Sequence, residues 1–171
     1  LNLAARYNTA GALLVCDLDQ FKYINATSGH QAGDALLKMI ERMLLSSIRS
    51  VDILGRLGGD EFAVILPQTT AEGAIEVAKN ALACLGEGKL TINGRTHKAS
   101  ASIGIALFPE HGNNVHDLLA AADLALYQAK EAGRGGWHLF SDDEKTRDRM
   151  HTLVYWKEKM EYALLHEQSL F

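Results

Sequence analysis

Apolar residues along this chain alternate between strand-like runs and helical spacing, and the alternation sets out the elements. Leu13, Leu14, Val15 and Cys16 form a short apolar run closed by Asp17, Leu18 and Asp19, which predicts a buried strand ending in acids. Alternation along a strand places Asp17 and Asp19 on the same face. A polar loop is expected to about His30, after which Ala35, Leu36, Met39, Ile40, Met43 and Leu44 recur as one face of an amphipathic helix. The segments Val51 to Leu57 and Phe62 to Leu66 flank Gly58, Gly59, Asp60 and Glu61. A glycine pair between two strands predicts a tight hairpin turn that displays the acids at its edge.

A second helix is expected from about Thr70 to Leu85, burying Ala74, Ile75, Ala78, Leu82 and Leu85. Leu90 and Ile92 then lead into an Asn93-Gly94 turn, with Ala99 to Leu107 as the return strand. A third helix, about Val115 to Glu131, stops at Gly133 as its C′ glycine. Trp137 to Phe140 reads as a closing strand. The order β-α-β-β-α-β predicts an α+β, ferredoxin-like (split βαβ) domain over residues 1–140, with helices on one face of a mostly antiparallel sheet and other cover for the opposite face. Residues 141–171 differ. A charged run from Asp142 to Arg149 precedes Met150, Leu153, Val154, Met160, Ala163 and Leu164 at near-helical spacing, which predicts a C-terminal helix leaving the domain.

Composition narrows the classes of function. The 171 residues are 47% hydrophobic and 22% charged, enough for one domain with a true core. A net charge of −4 argues against a broad nucleic-acid surface, so an anionic substrate needs local basic residues or metal. Cys16 and Cys84 lack paired spacing; neither a disulfide framework nor a zinc site is indicated, and a cytoplasmic setting is expected. No apolar run approaches the roughly 18 residues of a membrane span, although the parent protein could still be membrane-anchored. The histidines, His111 among them, show no ligand spacing and read as surface positions.

Three clusters carry candidate chemistry. Asp17, the Leu18 carbonyl, Asp60 and Glu61 suit one or two hard divalent cations with positions left for water and phosphate oxygens; the alternative is two solvated strand ends. Lys130 and Arg134, one turn apart if the helix continues, either complement its dipole or hold terminal phosphates. In the segment from Phe21 and Lys22 through Asn25 to Asp34, an amide and a carboxylate can read the N1 and N2 hydrogens of guanine. Taken alone, Asp34 reads rather as a first-turn helix acid with a favourable dipole interaction.

The run Asp17-Leu18-Asp19-Gln20-Phe21-Lys22-Tyr23-Ile24-Asn25, then Gly29, His30, Gly33 and Asp34, then Arg56-Leu57-Gly58-Gly59-Asp60-Glu61-Phe62, closely resembles the GGDEF domain of diguanylate cyclases. Ser102 to Ile105, Ala122 to Lys130, Gly133 and Arg134 resemble the closing motifs of that family. The resemblance covers about Leu1 to Phe140 and implies a palm-type nucleotidyl cyclase. Two GTP molecules, one on each domain of a homodimer, would condense to cyclic di-GMP and two pyrophosphates. Asp17, the Leu18 carbonyl and Asp60 would hold Mg²⁺ or Mn²⁺, two ions per site. Glu61 would be a shared ligand or the base for the 3′-hydroxyl. Asn25 and Asp34 would read guanine, Phe21 and Lys22 would meet phosphates, Lys130 and Arg134 would hold the terminal ones, and Gly58 and Gly59 would leave room for the nucleotide.

Arg49 and Asp52, with five residues between Asp52 and Gly58, resemble the product-binding inhibitory site of the family, whose usual further arginine is replaced by about Asn80. Ala26 stands where an acid usually follows the asparagine. The usual opening motif is missing, which implies an N-terminal truncation inside the first helix. The C-terminal helix resembles the linker to an EAL phosphodiesterase domain in composite proteins. In such a protein the alternative function is a GTP-binding module that regulates a covalently linked phosphodiesterase.

Overall fold

A computed structural model describes residues 10–142 except 93. The expected N-terminal helix end and C-terminal helix lie outside the described residues. Strand β1 (Gly11–Leu18) is followed by helices α1 (Phe21–Ser28) and α2 (His30–Ser46), strands β2 (Ile53–Gly58) and β3 (Glu61–Pro67), and helix α3 (Ala71–Glu87). Then come β4 (Lys89–Ile92), β5 (Arg95–Lys98), β6 (Ala101–Phe108), α4 (Val115–Glu131) and β7 (Trp137–Leu139). The main sheet has the order β2-β3-β1-β6-β7. Its first four strands are the ferredoxin-like set, all antiparallel. β7 joins in parallel to β6 through the crossover helix α4.

Strand alternation divides the core into two layers. Ala12, Leu14, Cys16 and Leu18 of β1 join Phe62, Val64 and Leu66 of β3 and Ile103 and Ile105 of β6. Against them lie Leu36, Ile40 and Leu44 of α2 and Ala74, Ala78, Ala81 and Leu85 of α3, both sets at helical spacing. The cover expected for the opposite face is α4, which packs on β1, β6 and β7 and buries Leu118, Ala121, Ala122, Ala125 and Ala129. Asn114 caps this helix, its Oδ1 accepting from the Asp117 amide at 2.9 Å.

Gly104 is what lets α4 come so close, because a Cβ there would collide with the backbone of Ala122 and Leu126. Gly104→Ala is therefore expected to cost about 2–3 kcal/mol and lower Tm by about 6–9 °C in thermal denaturation. Gly86→Ala in α3, where nothing lies within 4 Å of the added carbon, is expected to be neutral or stabilising.

Three details differ from the sequence expectation. The polar loop before His30 contains α1, whose inward side is only Phe21 and Ile24, too few apolar positions to show a period. The partner of β4 is β5, in a separate two-stranded ribbon with Thr91 and Thr96 side chains bonded across it at 3.0 Å, whereas β6 enters the main sheet. The His111 side chain is turned inward rather than solvated, 8% exposed; Nδ1 accepts the Leu107 amide at 3.0 Å and the ring meets Phe140 edge-on.

Candidate active site

The register of β1 and β3 sets Asp17 directly opposite Glu61. The Leu18 amide donates to the Asp60 carbonyl at 3.2 Å, so the tip of the hairpin closes back onto the end of β1. Gly59, at φ 52°, takes a left-handed conformation that favours glycine. The Arg56 guanidinium donates to the Gly59 carbonyl, its Nε at 3.0 Å, and steadies the turn. A Cβ on Gly58 or Gly59 would have no atom beyond its chain neighbours within 4 Å, so the space at the tip is open.

The acids repel one another. Burial, with the fields of Asp60 and Asp19 adding, pushes the Asp17 carboxyl above its usual range against the pull of Lys130. Glu61 is also pushed up, first by burial and then by Asp17, Asp123 and Asp60. Lys130 is the cation that opposes them, its Nζ 2.7 Å from Asp17 Oδ1. The group is short of positive charge. Among the described residues no three acidic, histidine or cysteine groups converge to cage a metal by protein atoms alone. Mg²⁺ typically takes one or two carboxylates and completes its shell with water and phosphate oxygens. The residues present therefore fit a metal that arrives with a nucleotide.

Around the acids lie groups suited to phosphate. α1 begins at Phe21 behind Gln20, whose φ is 61° and whose side chain makes no capping bond. The first-turn amides, Phe21 and Lys22 included, have no intrahelical acceptor. α4 ends at Glu131, so Arg134 is not one helical turn beyond Lys130 as the spacing implied. It sits in a left-handed turn at φ 61°, exposed.

On the other side of α1, Gly33 packs where a Cβ would strike the Asn25 side chain. Asn25 Oδ1 is buried and, among the described residues, has no hydrogen-bond partner. Such an orphaned acceptor is costly unless something else satisfies it. Asp34 lines a cavity of about 380 Å³ between α2 and β2 with Leu37, Lys38, Gly55, Arg56 and Phe62. Asn25 is not among the cavity's lining residues; it approaches from α1.

Arg49 and Asp52 stand apart from the acids, at the far end of β2, about 20 Å of strand rise from Gly58. The Asp52 carboxylate, fully buried, accepts from Arg49 Nη2 at 2.8 Å, Nε at 3.1 Å and the Arg49 amide at 2.8 Å. The half-exposed guanidinium also donates to Thr69 Oγ1 at 2.9 Å.

A glycine-acid hairpin locked in register beside a strand-end aspartate is accompanied by a match in sequence. The family model described as diguanylate cyclase, GGDEF domain, matches residues 1–136. The chain belongs to the GGDEF-domain family. Its GGDEF motif is Gly58 to Phe62. The probable diguanylate cyclase DgcE of Escherichia coli K12 is 40% identical over 124 residues, covering 72% of this chain and 11% of DgcE. The cyclic di-GMP phosphodiesterase NbdA of Pseudomonas aeruginosa is 37% identical over 130 residues, 76% of this chain and 16% of NbdA. The crystal structure of the GGDEF domain of TpbB from Pseudomonas aeruginosa superposes with a TM-score of 0.77 at 38% identity, covering 83% of this chain and 89% of that one. This GGDEF chain spans about a tenth to a third of the length of the curated relatives it matches. Among its described residues no helix is long and apolar enough to cross a membrane.

The GGDEF site also holds residues that motif reading passed over. Asp123 on α4 adds its charge to the field at Glu61, and its place one helical face from Lys130, seven residues on, was the available signal. Asp19, expected on the face of Asp17, lies beyond the end of β1 and its carboxylate is bonded to Ser100 and Ser102. Alternation does not carry past the last strand residue.

Proposed function

We propose that this GGDEF domain is a diguanylate cyclase that joins two GTP molecules into cyclic di-GMP across a homodimer. The observation that carries this reading is the cross-strand pair of Asp17 and Glu61, with Asp60 at the tip and Lys130 on Asp17. It forms an acid cluster opposed by one lysine, just ahead in the chain of the first-turn amides of α1. Asp17, the Leu18 carbonyl, Asp60 and Glu61 hold Mg²⁺ or Mn²⁺, two ions per site. The metal supplies charge neutralisation and orientation of the phosphate oxygens. Asn25 and Asp34 accept from the guanine edge. The Phe21 and Lys22 amides meet the phosphates, and Lys130 and Arg134 hold the terminal ones.

With the triphosphate fixed, the 3′-hydroxyl of the partner's GTP attacks the α-phosphorus. Its proton passes to Glu61, the carboxylate set across the strand pair from Asp17. The new 3′-O–P bond forms as the bond to the β-phosphate oxygen breaks, and pyrophosphate leaves. The same step on the second domain closes the ring. Positioning supplies much of the acceleration, which is why two domains must face each other.

Similarity to the phosphodiesterase NbdA favours one second reading, a GTP-binding module that regulates a linked EAL domain. Incubation of a forced dimer with GTP and Mg²⁺, with nucleotides resolved by chromatography, separates the two readings. Cyclic di-GMP with two equivalents of pyrophosphate supports the cyclase. Binding without turnover supports the module.

Arg49 and Asp52 are proposed as a product site, where the guanidinium pairs with phosphates of cyclic di-GMP. Arg49→Ala combined with Asp52→Asn removes the grip without stranding a buried carboxylate. Product inhibition constants are expected to rise about 10-fold or more while initial rates persist. An unchanged inhibition constant assigns the pair to structure alone.

A further inference from the structure

The turn that carries Arg134 is held in an uncommon backbone state. Gly133, Arg134 and Gly135 have φ values of 122°, 61° and 64°. The middle residue has a Cβ, and such a conformation persists where the surroundings over-determine it. Two bonds do this. The Arg134 amide donates to the Ala129 carbonyl at 3.3 Å, which ties the turn to α4. The Gly135 amide donates to Asp19 Oδ2 at 3.1 Å.

The rest of the Asp19 carboxylate is committed as well. Ser100 Oγ donates to Oδ2 at 2.7 Å and Ser102 Oγ to Oδ1 at 2.9 Å, while the Asp19 amide donates to the Ser100 carbonyl at 2.8 Å. Asp19 is 9% exposed, and it follows Asp17 and Leu18 directly in the chain. One buried carboxylate thus joins the end of β1, the start of β6 and the turn after α4. Ser102 is also the cross-strand partner of Asp17, so the junction lies against the acids themselves.

We propose that Asp19 is a positioning residue for the triphosphate: by fixing the 133–135 turn it sets Arg134 at a constant distance from Asp17 and the hairpin. The inference rests on the cyclase reading of the site, in which Arg134 meets the terminal phosphates. Asp19 touches no substrate in it. Loss of the junction lets the guanidinium wander, which weakens its charge-assisted bonds to the terminal phosphates.

The test uses the whole chain with Mg²⁺ and two probes measured by calorimetry. One is 3′-deoxy-GTP, which lacks the nucleophile and cannot condense; the other is GMP, which lacks the phosphates Arg134 holds. Asp19→Ala is expected to weaken 3′-deoxy-GTP about 10-fold or more and to leave GMP within about 2-fold. Asp19→Asn is expected within about 3-fold of the parent for both, because its oxygen can accept the Gly135 amide while the Ser102 hydroxyl turns to accept from its nitrogen. In an Arg134→Ala background, Asp19→Ala is expected to add almost nothing. Ser102→Ala gives a smaller loss with the same selectivity and carries the test if Asp19→Ala does not fold. Equal losses for both probes, or full additivity with Arg134→Ala, would overturn the proposal. A parent chain that binds neither probe overturns the cyclase reading itself, and the proposal with it.

Discussion

Glu61→Gln is expected to lower the rate of cyclic di-GMP formation by about 1,000-fold in a forced dimer, with the affinity for GTP changed far less. Glutamine keeps the shape of the side chain but supplies neither the negative charge nor the proton acceptor. The position is a strand residue opposite Asp17, so the backbone has no reason to move. Glutamine also removes a carboxyl that burial first, and then the fields of Asp17, Asp123 and Asp60, push above its usual range, so the variant should be no less stable than the parent. The sign follows from linkage. A carboxyl whose pKa is raised on folding favours the folded state while protonated, and disfavours it once pH passes through the raised value. Parent stability is thus expected to fall between the ordinary glutamate range and the raised range, and Glu61→Gln to fall less, in thermal scans without divalent metal. Turnover above about a tenth of the parent rate would remove Glu61 from the proton step.

Asp34→Asn is expected to reduce kcat/KM for GTP about 100-fold and to bring GTP and ATP within about 10-fold of each other. A carboxylate offers acceptors to both edge hydrogens of guanine, whereas an asparagine places a donor against one of them. The orphaned Oδ1 of Asn25 is the second acceptor, and Asn25→Ala should act in the same direction. Competition of GTP with ATP for the parent and both variants reads this directly. Retained guanine preference in Asp34→Asn would mean that the carboxylate merely lines the cavity between α2 and β2.

The hairpin, α2, α3 and α4 could be read from the sequence because each has a strong local signal: a glycine pair between apolar runs, or apolar positions repeating every three or four residues. The boundaries of α4 (Val115–Glu131) coincide with the expected ones, since Asn114 caps one end and Gly133 follows the other. What could not be read is tertiary. α1 buries two side chains in eight residues, and only packing reveals it. The meeting of Asp17 with Glu61 depends on strand register, and the separation of Asp19 from Asp17 depends on Ser100 and Ser102, more than 80 residues away. Motifs name residues; only the register brings them together.

The most direct measurement is anomalous diffraction from crystals of the chain grown with 3′-deoxy-GTP and Mn²⁺. Manganese peaks are expected beside Asp17 and the hairpin acids Asp60 and Glu61, next to the triphosphate, with guanine against Asn25 and Asp34. Manganese and triphosphate bound elsewhere, with Asp17 still paired to Lys130, would contradict the assignment.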